Sequence, residues 1–172
     1  GKCVIEKGFE SVTIGAVEKY VTETAFDEGW VEPIKVNAER EQSVGIIGAG
    51  PAGLAAADLL RRKGYQVVVY DRYDRVGGLM VYGIPGFKLE KDIVERRAEL
   101  LEKGGIKFEL NCEIGRDITF DGLRERHNAV LIATGVYKAR DIKVPGIGLQ
   151  GVVPALDYLT ASNRKSLGDD VA

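Results

Sequence analysis

One stretch constrains this chain more than any other: Val44-Gly45-Ile46-Ile47-Gly48-Ala49-Gly50-Pro51-Ala52-Gly53. Small and apolar residues run straight into three glycines spaced G-x-G-x-x-G, and an alanine-rich segment follows. In a strand–turn–helix that carries a pyrophosphate, each glycine has its own steric reason. Gly48 permits the tight turn off the strand, Gly50 removes a Cβ from the path of the phosphates, and Gly53 lets the helix pack close to the sheet. Pro51 and Ala52 open the helix, whose N-terminal amides and positive dipole end face the anion. Alone the hexapeptide is weak, because a glycine turn can serve only to pack helix on sheet. Its setting makes it informative. Residues 43–47 read as a short buried strand, residues 51–64 as a helix ended by Gly64, and residues 65–71 as a second strand. Such a βαβ unit predicts a parallel sheet and an α/β, Rossmann-like, doubly wound fold. Asp71 closes the second strand about 20 residues past Gly50, where an acid accepts hydrogen bonds from a ribose. That carboxylate disfavours a 2′-phosphate. Neighbouring Arg72 would welcome one, but the acid on the strand end outweighs it.

Elsewhere the periodicity supplies the frame. Ile14, Val17, Val21 and Ala25 step by threes and fours, a helical stripe that Phe26 and Trp30 widen. Residues 31–42, with a proline and mixed charges, read as a connector, so residues 1–42 form a helical extension and linker and residues 43–172 the α/β domain. A helix is predicted over 88–105, with Leu89, Ile93, Leu100 and Leu101 near one face, then a strand over 106–110 and a brief helix over 120–127. Residues 129–132, Ala-Val-Leu-Ile, form the most apolar strand and are expected to be buried; a last helix follows Pro154.

Composition removes several function classes. A net charge of −2 offers no field for nucleic acid or anionic membrane, and no apolar run approaches the roughly 18 residues of a spanning helix. Two cysteines, Cys3 and Cys112, cannot make a disulfide framework, which points to a reducing cytoplasm. The chain has no C-x-x-C, no G-x-S-x-G and no zinc-ligand spacing. His127, the sole histidine, reads as a surface or capping residue, and Cys112 as a packing residue. The charged runs 72–75 and 90–97 read as solvated faces.

Two further motifs separate a resident flavin from a nicotinamide consumed in turnover. Arg75, Gly77 and Gly78 form an R-x-G-G just past the acid, where ordinary nicotinamide domains pass directly into a helix. Ala133-Thr134-Gly135 gives the strand at 129–132 a small-residue exit at its carboxyl end, the side that borders ligands in open parallel sheets. Both resemble flavoproteins of the glutathione-reductase-like type, which implies FAD. A stand-alone nicotinamide-binding domain without redox activity is the alternative.

The segments at 70–97 and 133–146, together with 12–30 and 155–163, closely resemble the small (beta) subunits of NADPH-dependent glutamate synthases. Related ferredoxin:NADP oxidoreductase-type subunits match more loosely. The resemblance implies hydride transfer from NADPH to FAD, and single-electron passage through 4Fe-4S clusters to a large subunit. There the electrons serve glutamate synthesis from glutamine and 2-oxoglutarate. It assigns FAD contacts to Gly48, Gly50, Pro51, Ala52, Gly53, Asp71, Arg72, Gly78, Leu79, Thr134 and Gly135, with Ile114 near the adenine. Of the cysteine run that binds clusters in the family, only Cys3 stands here, so no cluster is expected on this chain itself, and without the family's second dinucleotide fingerprint NADPH is not expected on it either. No second fingerprint follows, and the expectation is an incomplete FAD domain, inactive alone.

Overall fold

The computed structural model describes residue 8 and residues 12–138, 140 and 142–171. The chain forms two units, residues 1–33 and 34–172. In the first, the predicted stripe is helix α1, Ile14–Asp27. Gly29, at φ +69°, follows its C-terminus, and Trp30 N–H bonds Ala25 O at 2.9 Å beyond it. No residue of α1 is buried.

The second unit is built on four parallel strands: β1 (Ser43–Ile47), β2 (Gln66–Tyr70), β3 (Lys107–Glu109) and β4 (Ala129–Ile132), in the spatial order β3-β2-β1-β4. The pleat sends Val44, Ile46, Val67 and Val69 to one face. There they join Leu54 and Ala57 of helix α2 (Pro51–Arg62), Leu101 of a later helix, and Ile106 in the main core. Each fully buried Val, Leu or Ile contributes about 1.5–3 kcal/mol through removal from water. Gly45 points to the opposite face, where the ring of His127 covers it.

A smaller core gathers Val81 and Tyr82 of helix α3 (Leu79–Tyr82) and Val94 of helix α4 (Lys91–Lys103). Leu167, just past helix α6 (Ala155–Ser166), packs against it. On α4 the deeply buried positions are Val94 and Leu101, two turns apart, while Ile93 and Leu100 are half-buried. Helix α5 (Phe120–Arg126) is capped by the Thr119 hydroxyl, which accepts the Gly122 N–H at 3.0 Å, and buries Leu123.

Two departures from the sequence expectations have physical causes. Residues 34–42 lack regular structure yet belong to the α/β unit: Ile34 packs on the main core, and Glu39 pairs with both terminal nitrogens of Arg61 at 2.7 and 2.5 Å. Gly64, at φ +87°, leaves room for the Ala38 carbonyl only because it lacks a Cβ. Strand β4, expected to be buried, is largely exposed, with Leu131 at 40% and Ile132 at 62%. It lies at the sheet edge, paired on one side to β1. Parallel strands become fully buried only where further elements cover both faces, and position decides this, not apolarity.

Candidate dinucleotide cleft

The chain visits β1, β2 and β3 in one direction and then crosses back past β1 to β4. The carboxyl ends of β1 and β4 therefore flank a topological switch point, where open α/β sheets bind ligands. A continuous cleft lies here. One lobe, about 360 Å³, lies between Asp71, Arg72, Tyr73, Ile114 and Tyr137. The other, about 490 Å³, is lined by Gly50, Pro51, Ala52, Gly78 and Leu79. Gly48, Asp71, Thr134, Gly135 and Tyr137 border both lobes. Volumes of this size suit a cofactor-sized molecule.

The glycine turn is determined by close approaches. Gly48 stands at φ +113°, and a Cβ there would lie 2.4 Å from the Ala133 carbonyl oxygen. A Cβ on Gly53 would lie 1.9 Å from the Gly48 oxygen, so α2 could not seat as it does. Gly50 differs: nothing lies within 4 Å of where its Cβ would be, and that space is the cleft itself. A Cβ there would intrude on a ligand and not on the protein. Ala52 and Gly53, in the first turn of α2, have no intrahelical acceptor for their amides, as at any helix start.

Asp71, 9% exposed, ties the turn to the second strand. Its Oδ2 accepts the Ala49 N–H at 2.7 Å and its Oδ1 the Tyr73 N–H at 2.9 Å. Its own backbone pairs outward, N–H to Glu109 O at 3.0 Å and carbonyl from Cys112 N–H at 2.9 Å. The R-x-G-G segment returns onto the turn: Gly77 N–H donates to Ala49 O at 2.9 Å, and Gly78, at φ +54°, sits against Gly50. A Cβ on Gly78 would be 2.9 Å from the Gly50 Cα.

Eleven of the twelve proposed cofactor contacts thus line one cleft: Gly48, Gly50, Pro51, Ala52, Asp71, Arg72, Gly78, Leu79, Ile114, Thr134 and Gly135. Gly53 lies beneath it, as a packing glycine. Cys3, the one metal-site candidate, lies outside the described residues, and among those no cluster of three His, Cys, Asp or Glu could hold a metal. Tyr73 and Tyr137 were not foreseen. Their rings approach each other at 6.3 Å, and the Arg72 guanidinium lies 5.1 and 4.6 Å from them, which makes the wall of the first lobe aromatic and cationic. A tyrosine two residues past the A-T-G exit was the available signal. Cys112 lines this lobe half-buried, and burial, with Asp117 and Glu109 nearby, pushes its thiol up from the ordinary value.

His127 caps the C-terminus of α5, one of the two roles expected of it, and is half-buried. It follows α5 and bridges two strands, with Nδ1 3.1 Å from the Ser43 hydroxyl and Nε2 2.9 Å from that of Tyr70. Burial, and then Arg126, hold its pKa below the ordinary value. The bare spacing G-x-G-x-x-G occurs again at residues 146–151, but that segment is a run of turns with no strand leading into it. It lacks the geometry of the first.

Residues 46–104 match the NAD(P)-binding Rossmann-like domain model. The chain is 67% identical to a putative NADPH glutamate synthase small chain of Cereibacter sphaeroides, covering 99% of this chain and 42% of that protein. It is 63% identical to the NADPH glutamate synthase small chain of Azospirillum brasilense, covering 99% of this chain and 36% of the relative. The chain therefore spans well under half the length of these relatives. Among solved structures, Mycobacterium tuberculosis FprA in complex with NADPH superposes with a TM-score of 0.64 at 26% identity, over 72% of this chain and 29% of that one.

Proposed function

We propose that this chain, kin from end to end to a segment of the NADPH glutamate synthase small chains, is the part that holds their FAD. The carrying observation is the continuous cleft at the carboxyl ends of β1 and β4, closed by the glycine turn, Asp71 and the second glycine pair. The amides of Ala52 and Gly53, with the positive end of the α2 dipole, would receive the pyrophosphate, and Gly50 and Gly78 give it room. Asp71 keeps a free lone pair on each oxygen for ribose hydroxyls. Ile114, Tyr137 and the Arg72 guanidinium border the lobe into which the adenine fits, and Leu79, Thr134 and Gly135 border the lobe toward the flavin. When bound, FAD supplies the exchange between hydride and single-electron chemistry, and the protein supplies position and electrostatics.

In the whole protein this segment serves an oxidoreductase. Electrons pass from NADPH through FAD to 4Fe-4S clusters and a large subunit, for reductive synthesis of glutamate from glutamine and 2-oxoglutarate, in the cytoplasm. None of the described helices is long and apolar enough to cross a membrane. The test is optical. The purified protein, or its FAD titration, is expected to show flavin bands near about 375 and 450 nm. A protein that stays colourless with FAD yet binds NADPH in the same cleft would overturn the reading in favour of a nicotinamide-binding domain.

A further inference from the structure

Arg75, the first residue of R-x-G-G, lines neither lobe of the cleft. Its guanidinium turns away to a ring of four charges. Arg75 reaches Asp74 at 2.8 Å and both oxygens of Asp169 at 2.8 and 2.5 Å. Arg164 closes the ring, to Asp169 at 3.0 Å and to Asp74 at 2.9 Å. The four side chains are 19–32% exposed, so solvent screens the ring only partly. Asp74 and Arg75, at the end of the charged run 72–75, are therefore not the solvated residues their sequence suggests, while Arg72 is exposed.

The ring joins two segments far apart in the chain. Asp74 and Arg75 lie just before the glycine pair that rests on the cofactor turn, separated from it by Val76, whereas Arg164 and Asp169 belong to α6 and its C-terminal cap. Asp169 is placed by that cap, where Gly168 at φ +86° turns the chain and the Asp169 N–H bonds the Arg164 carbonyl at 3.0 Å. Two further hydrogen bonds run alongside. The Tyr82 hydroxyl donates to Asp74, and buried Asn163, 4% exposed, donates its side-chain N–H to the Tyr82 carbonyl at 3.0 Å. Tyr82 itself is fully buried. Residues 74–82 are thus gripped from α6 at both ends, and between those ends stand Gly77 and Gly78.

We propose that Arg164 and Asp169 are positioning residues for the dinucleotide: through Arg75 and Asp74 they hold the Gly77–Gly78 turn against Gly50, so that cofactor binding and the docking of α6 are one coupled event. None of the four charged groups needs to touch the ligand. The turn has two glycines at positive φ, which leave its backbone many alternatives in the absence of a brace. The ring selects one of them. By linkage, whatever α6 contributes to FAD affinity, FAD returns as protection of α6. This inference rests on the FAD reading of the cleft.

The experiment measures amide hydrogen exchange across residues 155–169 with and without FAD, alongside FAD affinity by flavin fluorescence quenching. In the wild-type protein FAD is expected to slow exchange in α6 about 5-fold or more. Asp169→Asn keeps the side-chain shape and removes the charge both arginines share. It should weaken FAD binding about 5- to 10-fold and uncouple α6 exchange from FAD, and Arg164→Lys, which keeps the charge, should fall between. A merely structural role would lower the unfolding midpoint without making α6 respond to FAD. Wild-type α6 exchange indifferent to bound FAD overturns the proposal, even if Asp169→Asn fails to fold. So does an Asp169→Asn protein that binds FAD like wild type, and the FAD reading then still stands. Wild-type protein that binds no FAD removes both.

Discussion

Strands β1 and β4 lie side by side in register, Val44 opposite Ala129 through Ile47 opposite Ile132, and are similarly apolar. Yet Ile46 is completely buried, while Leu131 beside it is 40% exposed. β1 has strands on both sides and α2 above it; β4 has a strand on one side. The same asymmetry continues into the cleft. The β1 exit is clamped, with Gly48 against Ala133, Gly53 against Gly48 and Gly78 against Gly50. The β4 exit is held against Gly48 at Ala133 and Thr134 and loosens only at Gly135, where the nearest atom to a Cβ would be a ring carbon of Tyr137 at 3.8 Å. Packing dictates the β1 wall of the cleft throughout and the β4 wall only as far as Thr134.

The largest effect should therefore separate the two strands themselves. Ile46→Ala is expected to cost about 2–5 kcal/mol in urea unfolding, through lost burial and a residual cavity. Ile132→Ala should stay within about 0.5 kcal/mol. Equal losses would break the contrast. The glycines should repeat it on a smaller scale. Gly53→Ala drives a methyl into a backbone carbonyl and should cost about 3 kcal/mol, whereas Gly135→Ala meets only the backbone strain of φ +71°, about 1 kcal/mol.

Asp71→Ala comes next. It leaves the Ala49 and Tyr73 N–H groups without their acceptor and should cost about 1–3 kcal/mol of stability with no ligand present, besides weakening FAD. Unchanged stability would mean that the acid serves the ligand alone. The smallest effect is a pH slope. Because His127 has a folded pKa below its unfolded value of about 6.5, the folded state binds fewer protons in that range. Its contribution is present above about pH 6.5 and is lost as the pH falls through the folded value. The thermal midpoint should drop between about pH 7.5 and 5.5, and His127→Gln should flatten that drop.

The β1–α2–β2 unit, its glycines and Asp71 could be read from the chain because their signals are local: period-two apolarity, three glycines within six positions, and an acid one strand later. The same locality explains the misses. Whether Ala-Val-Leu-Ile at 129–132 is buried depends on which elements reach it, and nothing within those four residues carries that information. His127 is the helix-end residue it looks like, but nothing local shows that β1 and β2 bring Ser43 and Tyr70 to its two nitrogens. Asp74 and Arg75 look solvated until a helix some 90 residues later supplies Arg164 and Asp169. The G-x-G-x-x-G spacing at 146–151 shows the converse: right spacing without the strand that gives spacing its meaning.

Asp71 has a consequence for the timing of order in this molecule. Its two oxygens already hold the amides of the glycine turn and of the segment leading to the second glycine pair, so this wall of the cleft is preorganised by folding alone. A ligand arriving there meets a shaped surface and loses little affinity to ordering it. The stability of the fold and the shape of the cleft thus depend on one carboxylate. An asparagine could not substitute for it in both duties, since its amide nitrogen has no lone pair to offer the second N–H.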